Sequence, residues 1–482
     1  MLYGRLVGFL GDDESAALTH GELEARLSTD ARELVRQLFQ DHLDLRSTRE
    51  ERIGAVADAD GDRHGAVEAG HARPLQTVFG PVTFSRFAYR RRGADNLYPA
   101  DAALNLPAEL HSHGLRALAA VESARGSFEE ATEAIRRTTG TRVAKRQVEG
   151  LAQRSAADFE AFYQAAARTP AADGDLLVVS ADGKGIVMRP DALRPATAKA
   201  ASQANTKLKT RLSKGEKRNR KRIAEVGAVY DVTPAPRAPT DIIGPHDDKP
   251  DPPKAKNKWL AASVANNAAA VISAVFDEAE RRDPAHERTW VALVDGASHQ
   301  IDCINAEAKA RGVKVNIVCD FVHVMEYIWS AGWCFFSEGD PAAEEWVAEK
   351  ALGVLKGHAS TVAASIRRKA TCLALDPQAR NNADRCADYL LAKRDYLHYH
   401  QALDEGWPIA TGVIEGACRH LVKDRLDLTG SRWGLTGAEA ILKLRALRSN
   451  GDFEQYWQFH LKQEKRRVHE SRYADETIPA AA

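Results

Sequence analysis

The amino-acid sequence predicts an α/β protein with a sheet buried on both faces, preceded by a mainly helical region. Three short apolar runs each end in an aspartate: Leu176 to Asp182, Trp290 to Asp295 and Val313 to Asp320. Helical spacing over 263–282 and 299–311 separates them, the pattern of strands covered by helices. The chain has 482 residues, 44% of them hydrophobic and 28% charged, the balance of a globular protein of roughly three domains. Lys+Arg and Asp+Glu both number 67, a formal net charge of zero, which excludes a uniformly basic DNA-coating protein but not a protein with segregated charge.

No window approaches the roughly 18 apolar residues of a membrane span, and the opening MLYGRLVGFLGDDESAAL lacks a signal-peptide core and cleavage site. The cysteines at 303, 319, 334, 372, 386 and 418 are scattered, with no C-x-x-C pair. A disulfide framework and a structural zinc site are therefore not expected, and a reducing cytoplasm is, without a membrane partner.

Residues 1–75 form an acidic helical region. Residues 1–65 hold 8 Arg and no Lys against 14 Asp+Glu, with helical spacing at Leu23, Leu27, Leu34 and Leu38. Asp58, Asp60 and Asp62 imitate the start of a calcium loop, but Arg63 and Ala69 stand where it needs Gly and Glu, so a solvated turn is expected. Residues 76–172 are read as a DNA-binding region. Within it 79–92 alternates as a hairpin-edge strand, and 127–154 divides into two helical runs at Gly140. Arg142, Lys145, Arg146 and Gln147 load the start of the second run. That is a helix-turn-helix outline; an ordinary amphipathic helical pair fits the same pattern.

Residues 173–335 give the first part of the core, with a basic and proline-rich insert at 199–258. Residues 199–222 hold ten Lys/Arg against one acid. A block so dense calls for a polyanion, with Lys217, Arg218, Arg220 and Arg222 gripping phosphate. Seven prolines over 232–258 predict a loop or arm. Residues 336–400 have helical spacing, 401–448 complete the core, and 449–482 form a basic tail.

In such sheets functional groups collect at the carboxyl ends of strands. One Asp-Gly after a strand is usually only a turn, but Asp182-Gly183 and Asp295-Gly296 repeat it and Asp320 follows a third strand. Converging carboxylates suit Mg²⁺ or Mn²⁺, two of which can serve phosphodiester chemistry. A further carboxylate comes from Glu415, in a run from Gly412 to Arg425 read as one helix. Ile414, Cys418 and Leu421 fall on its buried side, and Glu415, Arg419 and Lys423 lie on one stripe. The stripe is either an exposed ion-pair ladder or a metal ligand followed by two phosphate-facing cations. The P-loop, dinucleotide, nucleophile-elbow and H-E-x-x-H motifs are all missing.

The sequence resembles bacterial insertion-sequence transposases of the ISKra type from about Phe79 to Tyr456. The resemblance is carried by Tyr89-Arg90, Ser127-Phe128-Glu129-Glu130, Lys145-Arg146-Gln147-Val148-Glu149, Ser180-Ala181-Asp182-Gly183-Lys184 and Val294-Asp295-Gly296. Gly412-Val413-Ile414-Glu415-Gly416 with Thr429-Gly430-Ser431-Arg432-Trp433 is its most specific part. It implies an RNase H-like core with an Asp182, Asp295 and Glu415 triad holding two Mg²⁺ or Mn²⁺ ions. The Asp320-x-x-His323 spacing resembles a motif of Mutator-like and hAT-like enzymes, which also carry a helical insertion before the Glu. The resemblance implies cleavage and strand transfer at element ends by an oligomer bound to duplex DNA, nucleoid-associated when so bound. His323 is then expected beside the carboxylates, with Asp320 and Lys184 in support. Arg432 and Trp433 are read as a phosphate contact and a platform for an unstacked base, or as a core plug. A non-transposing nuclease with the same triad and a domesticated DNA-binding protein are the competing readings.

Overall fold

The computed structural model describes residues 2–168, 171–172, 174–203, 220–243, 250–428 and 430–480. The chain forms two compact units, Met1–Ala165 with Gly451–Ala482, and Ala166–Asn450.

In the first unit Thr19 and Glu22 build a capping box that starts the long helix α1, His20–Arg49. Strands β1 (Ala66–Thr77) and β2 (Gly80–Arg90) pair antiparallel. Polar side chains of α1 close the open edge of β2: Gln40 exchanges two 2.8 Å hydrogen bonds with the Thr83 backbone, and Ser47 donates to Ser85 O. An unpaired strand edge is thereby satisfied without a third strand. The expected boundary at residue 75 falls inside β1, so the acidic helix and the hairpin belong to one body. Alternation in β1 is weak because most of its first half is exposed, which hid it among the acidic residues.

A short helix, Pro99–Ala103, precedes a group of three that pack together: α2 (His113–Arg125), α3 (Phe128–Thr139) and α4 (Lys145–Ser155). Leu115, Ala119, Ala131, Ile135, Val143, Val148 and Leu151 form their shared core. Ser127 and Glu130 make a second capping box, and α3 stops at Gly140, whose φ of 74° is left-handed and suits glycine.

The segment read as a basic tail is a packed helix instead. Tyr456, Trp457, His460 and Glu464 of Phe453–Val468 are buried, and its basic residues gather in the last turn, which made it look solvated. Arg116, fully buried, meets Glu109 at 2.7 Å, Glu464 at 2.9 Å and His460 at 3.2 Å. Asp158 accepts from His460 at 2.7 Å and from Arg467 at 3.0 Å. Burial alone would raise the Asp158 pKa, but these hydrogen bonds override it and hold it at about 2, below its ordinary 3.8. A depressed carboxylate contributes stability at neutral pH that disappears as pH falls through the folded value. At about 1.4 kcal/mol per pKa unit the contribution is about 2 kcal/mol. Asp158→Asn should therefore melt lower than wild type at pH 6, and the gap should close between pH about 4 and 2. A gap that persists unchanged at pH 2 would show that the hydrogen bonds, not the charge, matter.

The second unit is built on five strands: β3 (Leu176–Val187), β4 (Lys221–Val232), β5 (Ala255–Ser263), β6 (Trp290–Val294) and β7 (Val315–Cys319). Their order is β5-β4-β3-β6-β7, with β3 to β5 antiparallel and β6 and β7 parallel to β3. Helices α5 (Ala268–Arg282) and α6 (Ser298–Arg311) connect the later strands, giving a mixed α/β core. Helix α7 (Phe321–Gly332) leads into α8 (Pro341–Leu355), α9 (Ala359–Cys372) and α10 (Asn381–Ala392), so 336–400 is helical as its spacing predicts.

Two expectations about the sheet are corrected. The insert read at 199–258 contains β4, a buried strand, and the start of β5. The charge run reaches into β4 through the exposed Lys221, and β5 opens with polar residues because it is a sheet edge. Asp182-Gly183 is not a turn: β4 pairs with β3 as far as Val187. A Cβ on Gly183 would lie 2.7 Å from Ile223 Cγ2, so glycine there lets the two strands continue side by side.

Candidate active site

Two of the expected acids stand level at the carboxyl edge of the parallel pair. The register Ser180 with Leu293 ends the β3–β6 ladder, and Asp182 and Asp295 each follow two residues on. Asp295 Oδ1 accepts from Ala297 N at 2.8 Å. Gly296 turns the chain at φ 94°, and a Cβ there would meet Tyr389 Oη at 2.9 Å. Asp182 accepts from Gly183 N at 2.6 Å and, at its other oxygen, from the Cys418 thiol at 3.2 Å. Burial and the Asp182 charge drive that thiol's pKa up, so it stays a protonated donor.

Glu415 lies on α11 (Gly412–Ala417), three residues before Cys418, so the contact with Asp182 brings its helix to the same edge. The run from Gly412 to Arg425 is not one regular helix: Cys418–Lys423 widens to π-type turns. The guanidinium of Arg445, on α12 (Leu435–Asn450), donates to Leu421 O at 2.9 Å and to His420 O, meeting carbonyls in the widened stretch. Ile414, Cys418 and Leu421 are buried while Glu415, Arg419 and Lys423 are exposed. Arg419 lies 4.0 Å from Asp424, which is not on the expected stripe.

Asp320 caps α7 and is fully buried. Its oxygens accept from Val322 N at 3.0 Å, Thr411 N at 3.3 Å, Thr411 Oγ1 at 2.7 Å and His323 Nδ1 at 3.2 Å. Burial alone would raise its pKa, and the His323 and Thr411 hydrogen bonds hold it low. His323 is correspondingly pushed up to about 9, by the Asp320 hydrogen bond first, against desolvation, with Asp295 adding to it. Thr411 Oγ1 also lies 3.2 Å from Glu415. Ligand atoms of Asp320, His323 and Glu415 come within 4.8 Å of one another, a group that could hold a metal ion. Asp182 and Asp295 are outside that group. Asp320 already satisfies four donors, so its role is to anchor His323 and Thr411, while Glu415 remains exposed.

Asp182, Asp295 and Glu415 have no ion-pair partner among the described residues. Partly exposed hard oxygen donors without a protein cation fit a hard divalent ion. Lys184 is half-buried two residues beyond Asp182. Arg142, Lys145, Arg146 and Gln147 are all exposed at the start of α4; Gln147 accepts from Ala144 N at 3.2 Å and Lys145 lies 3.5 Å from Glu129.

Several expected DNA contacts stand differently. Lys217 and Arg218 lie outside the described residues, and Arg220 immediately precedes β4. Arg222 is not a free phosphate contact: its guanidinium donates to Val264 O at 2.6 Å, Ala265 O at 3.0 Å and Ala192 O at 3.2 Å. Trp433 is no platform for a base. It is 6% exposed, its indole N–H donates to Leu426 O at 3.0 Å, and its backbone bridges the Val187 and Arg189 backbones. Arg425 covers its ring at 4.7 Å. The neighbouring Arg432 is exposed.

Sequence reasoning missed Thr411 and Cys418. Each flanks the Glu415 motif at helical distance, the signal that could have found them; their partners, Asp320 and Asp182, are remote in the chain. The chain matches no protein-family model, and no curated protein matches it.

Proposed function

We propose that this protein is a DDE transposase that binds insertion-sequence ends and catalyses metal-dependent DNA cleavage and strand transfer, as its ISKra-type resemblance implies. The observation that carries the reading is the level pair Asp182 and Asp295 on adjacent parallel strands, with the Glu415 helix joined to Asp182 through Cys418. The strand order, antiparallel for three strands and parallel for two, supports an RNase H-like core. Asp182, Asp295 and Glu415 would hold one or two Mg²⁺ or Mn²⁺ ions, which supply an activated oxygen nucleophile and a stabilised leaving oxygen. His323, oriented by Asp320, puts a positive N–H donor beside the carboxylates where a scissile phosphate would lie. Thr411 fixes the start of the Glu415 helix against Asp320, and Arg419, Lys423 and Arg432 are exposed cations for flanking phosphates. Arg142, Lys145 and Arg146 at the leading end of α4 suit a recognition helix. Duplex DNA is the proposed partner, with oligomerisation on it and nucleoid association following from that.

The test is cleavage of duplexes carrying the DNA that flanks the reading frame, with Mg²⁺ or Mn²⁺ and with EDTA. Divalent-dependent cuts at inverted repeats support the transposase. Divalent-dependent cuts indifferent to the flanks would make it a nuclease, and no cleavage with either metal would overturn the enzymatic reading.

A further inference from the structure

The first unit contains an open cleft of about 520 Å³ between α1 and the turn joining α3 to α4. Thr29, Arg32, Arg36, His111, Gly140 and Arg142 line it. Arg32 donates to Thr138 O at 3.3 Å and lies against Gly140, where a Cβ would come within 2.8 Å of its Nη1. Glycine at the turn therefore both adopts the left-handed backbone and leaves room for the guanidinium. Arg36 is neutralised by Glu33 at 2.7 and 2.8 Å, whereas Arg32 and Arg142 have no ion-pair partner among the described residues. His111 is 5% exposed, and no described residue hydrogen-bonds its ring. Burial lowers its pKa, so at neutral pH its imidazole is uncharged and can turn an N–H toward a ligand. Two guanidiniums without a carboxylate partner among the described residues and a neutral imidazole around an open cleft match the chemistry of a phosphate group.

We propose that this cleft seats one backbone phosphate of duplex DNA, so that the acidic N-terminal helix contributes to DNA binding through Arg32. The proposal rests on the reading of α4 as a DNA-binding helix, which shares the cleft through Gln147 in its first turn and through Arg142 just before it. Along α1 the carboxylates do not contradict it: Glu33, the acid that lines the cleft, is paired with Arg36.

Binding of a short fluorescein-labelled duplex of arbitrary sequence tests it by anisotropy across a salt series. Arg32→Gln should weaken binding about five- to tenfold and flatten the slope of log affinity against log salt by about one, the loss of one phosphate contact. Thr29→Glu adds a carboxylate at an exposed rim position without removing a packed group, and should act in the same direction. Arg146→Gln, outside the cleft, separates the two readings. If it weakens binding while both cleft variants keep wild-type affinity and slope, the phosphate seat alone is overturned. If wild-type protein binds no duplex, the seat falls together with the DNA reading. Inorganic phosphate at matched ionic strength should compete no better than chloride. If it raises the melting temperature of wild type but not of Arg32→Gln, while duplex binding is equal in the two, the cleft is a free-phosphate site and the proposal fails.

Discussion

Asp182→Asn is expected to reduce divalent-dependent DNA cleavage by at least about a thousandfold while leaving the fold intact. The substitution keeps the volume and one carbonyl acceptor for Gly183 N or the Cys418 thiol. It removes one of the three site carboxylates, none of which has an ion-pair partner among the described residues, and a neutral amide is a poor ligand for a hard cation. Without metal, the variant should melt no lower than wild type, because a negative charge near other acids has gone. Mg²⁺ or Mn²⁺ should raise the melting temperature of wild type and raise that of the variant much less, since binding to the folded state stabilises by mass action. Cleavage within about tenfold of wild type would remove Asp182 from the reacting centre.

Arg116→Met should destabilise the first unit by about 3–5 kcal/mol, the scale for breaking a buried ion pair from one side. Arg116 is 0% exposed and holds Glu109 and Glu464. Methionine fills much of its volume and, among the described residues, leaves Glu464 with only Arg467, at 3.0 Å, and Glu109 with only Arg154, at 3.6 Å. Chemical denaturation of the full chain should show the transition of the first unit moving to lower denaturant, and Arg116→Met combined with Glu464→Leu should recover part of the loss. A change under about 1 kcal/mol would mean that water or rearrangement replaces the guanidinium.

What could be read in the sequence was local. The apolar runs ending at Asp182, Asp295 and Asp320 predict their strands because their residues are buried whatever their neighbours. Ser127, Glu130 and Gly140 mark the ends of α3 because capping needs only adjacent residues. The rest depends on contacts remote in sequence. Trp433 looks available for a base until its backbone is seen bonded to Val187 and Arg189. Arg222 looks like part of a phosphate grip until its guanidinium is found on three carbonyls. Asp320 is expected only in support of His323, and the Thr411 contacts that join it to the start of the Glu415 helix come from ninety-one residues downstream. The helix at Phe453–Val468 reads as solvated because the groups that bury its polar residues, Arg116 and Asp158, lie some three hundred residues earlier.

That last helix also sets an order on the birth of the molecule. Its unit contains residues 1–165 but is completed only by residues 451–482. A ribosome adding about 5–20 residues per second needs roughly 15–60 s to translate the stretch between. Throughout that interval Arg116 lacks Glu464 and His460, and Asp158 lacks both of its donors. The unit holding residues 1–165 is thus closed only after residues 166–450 have been made. A polypeptide released before residue 451 would carry Arg116 and Asp158 without the helix that supplies their partners.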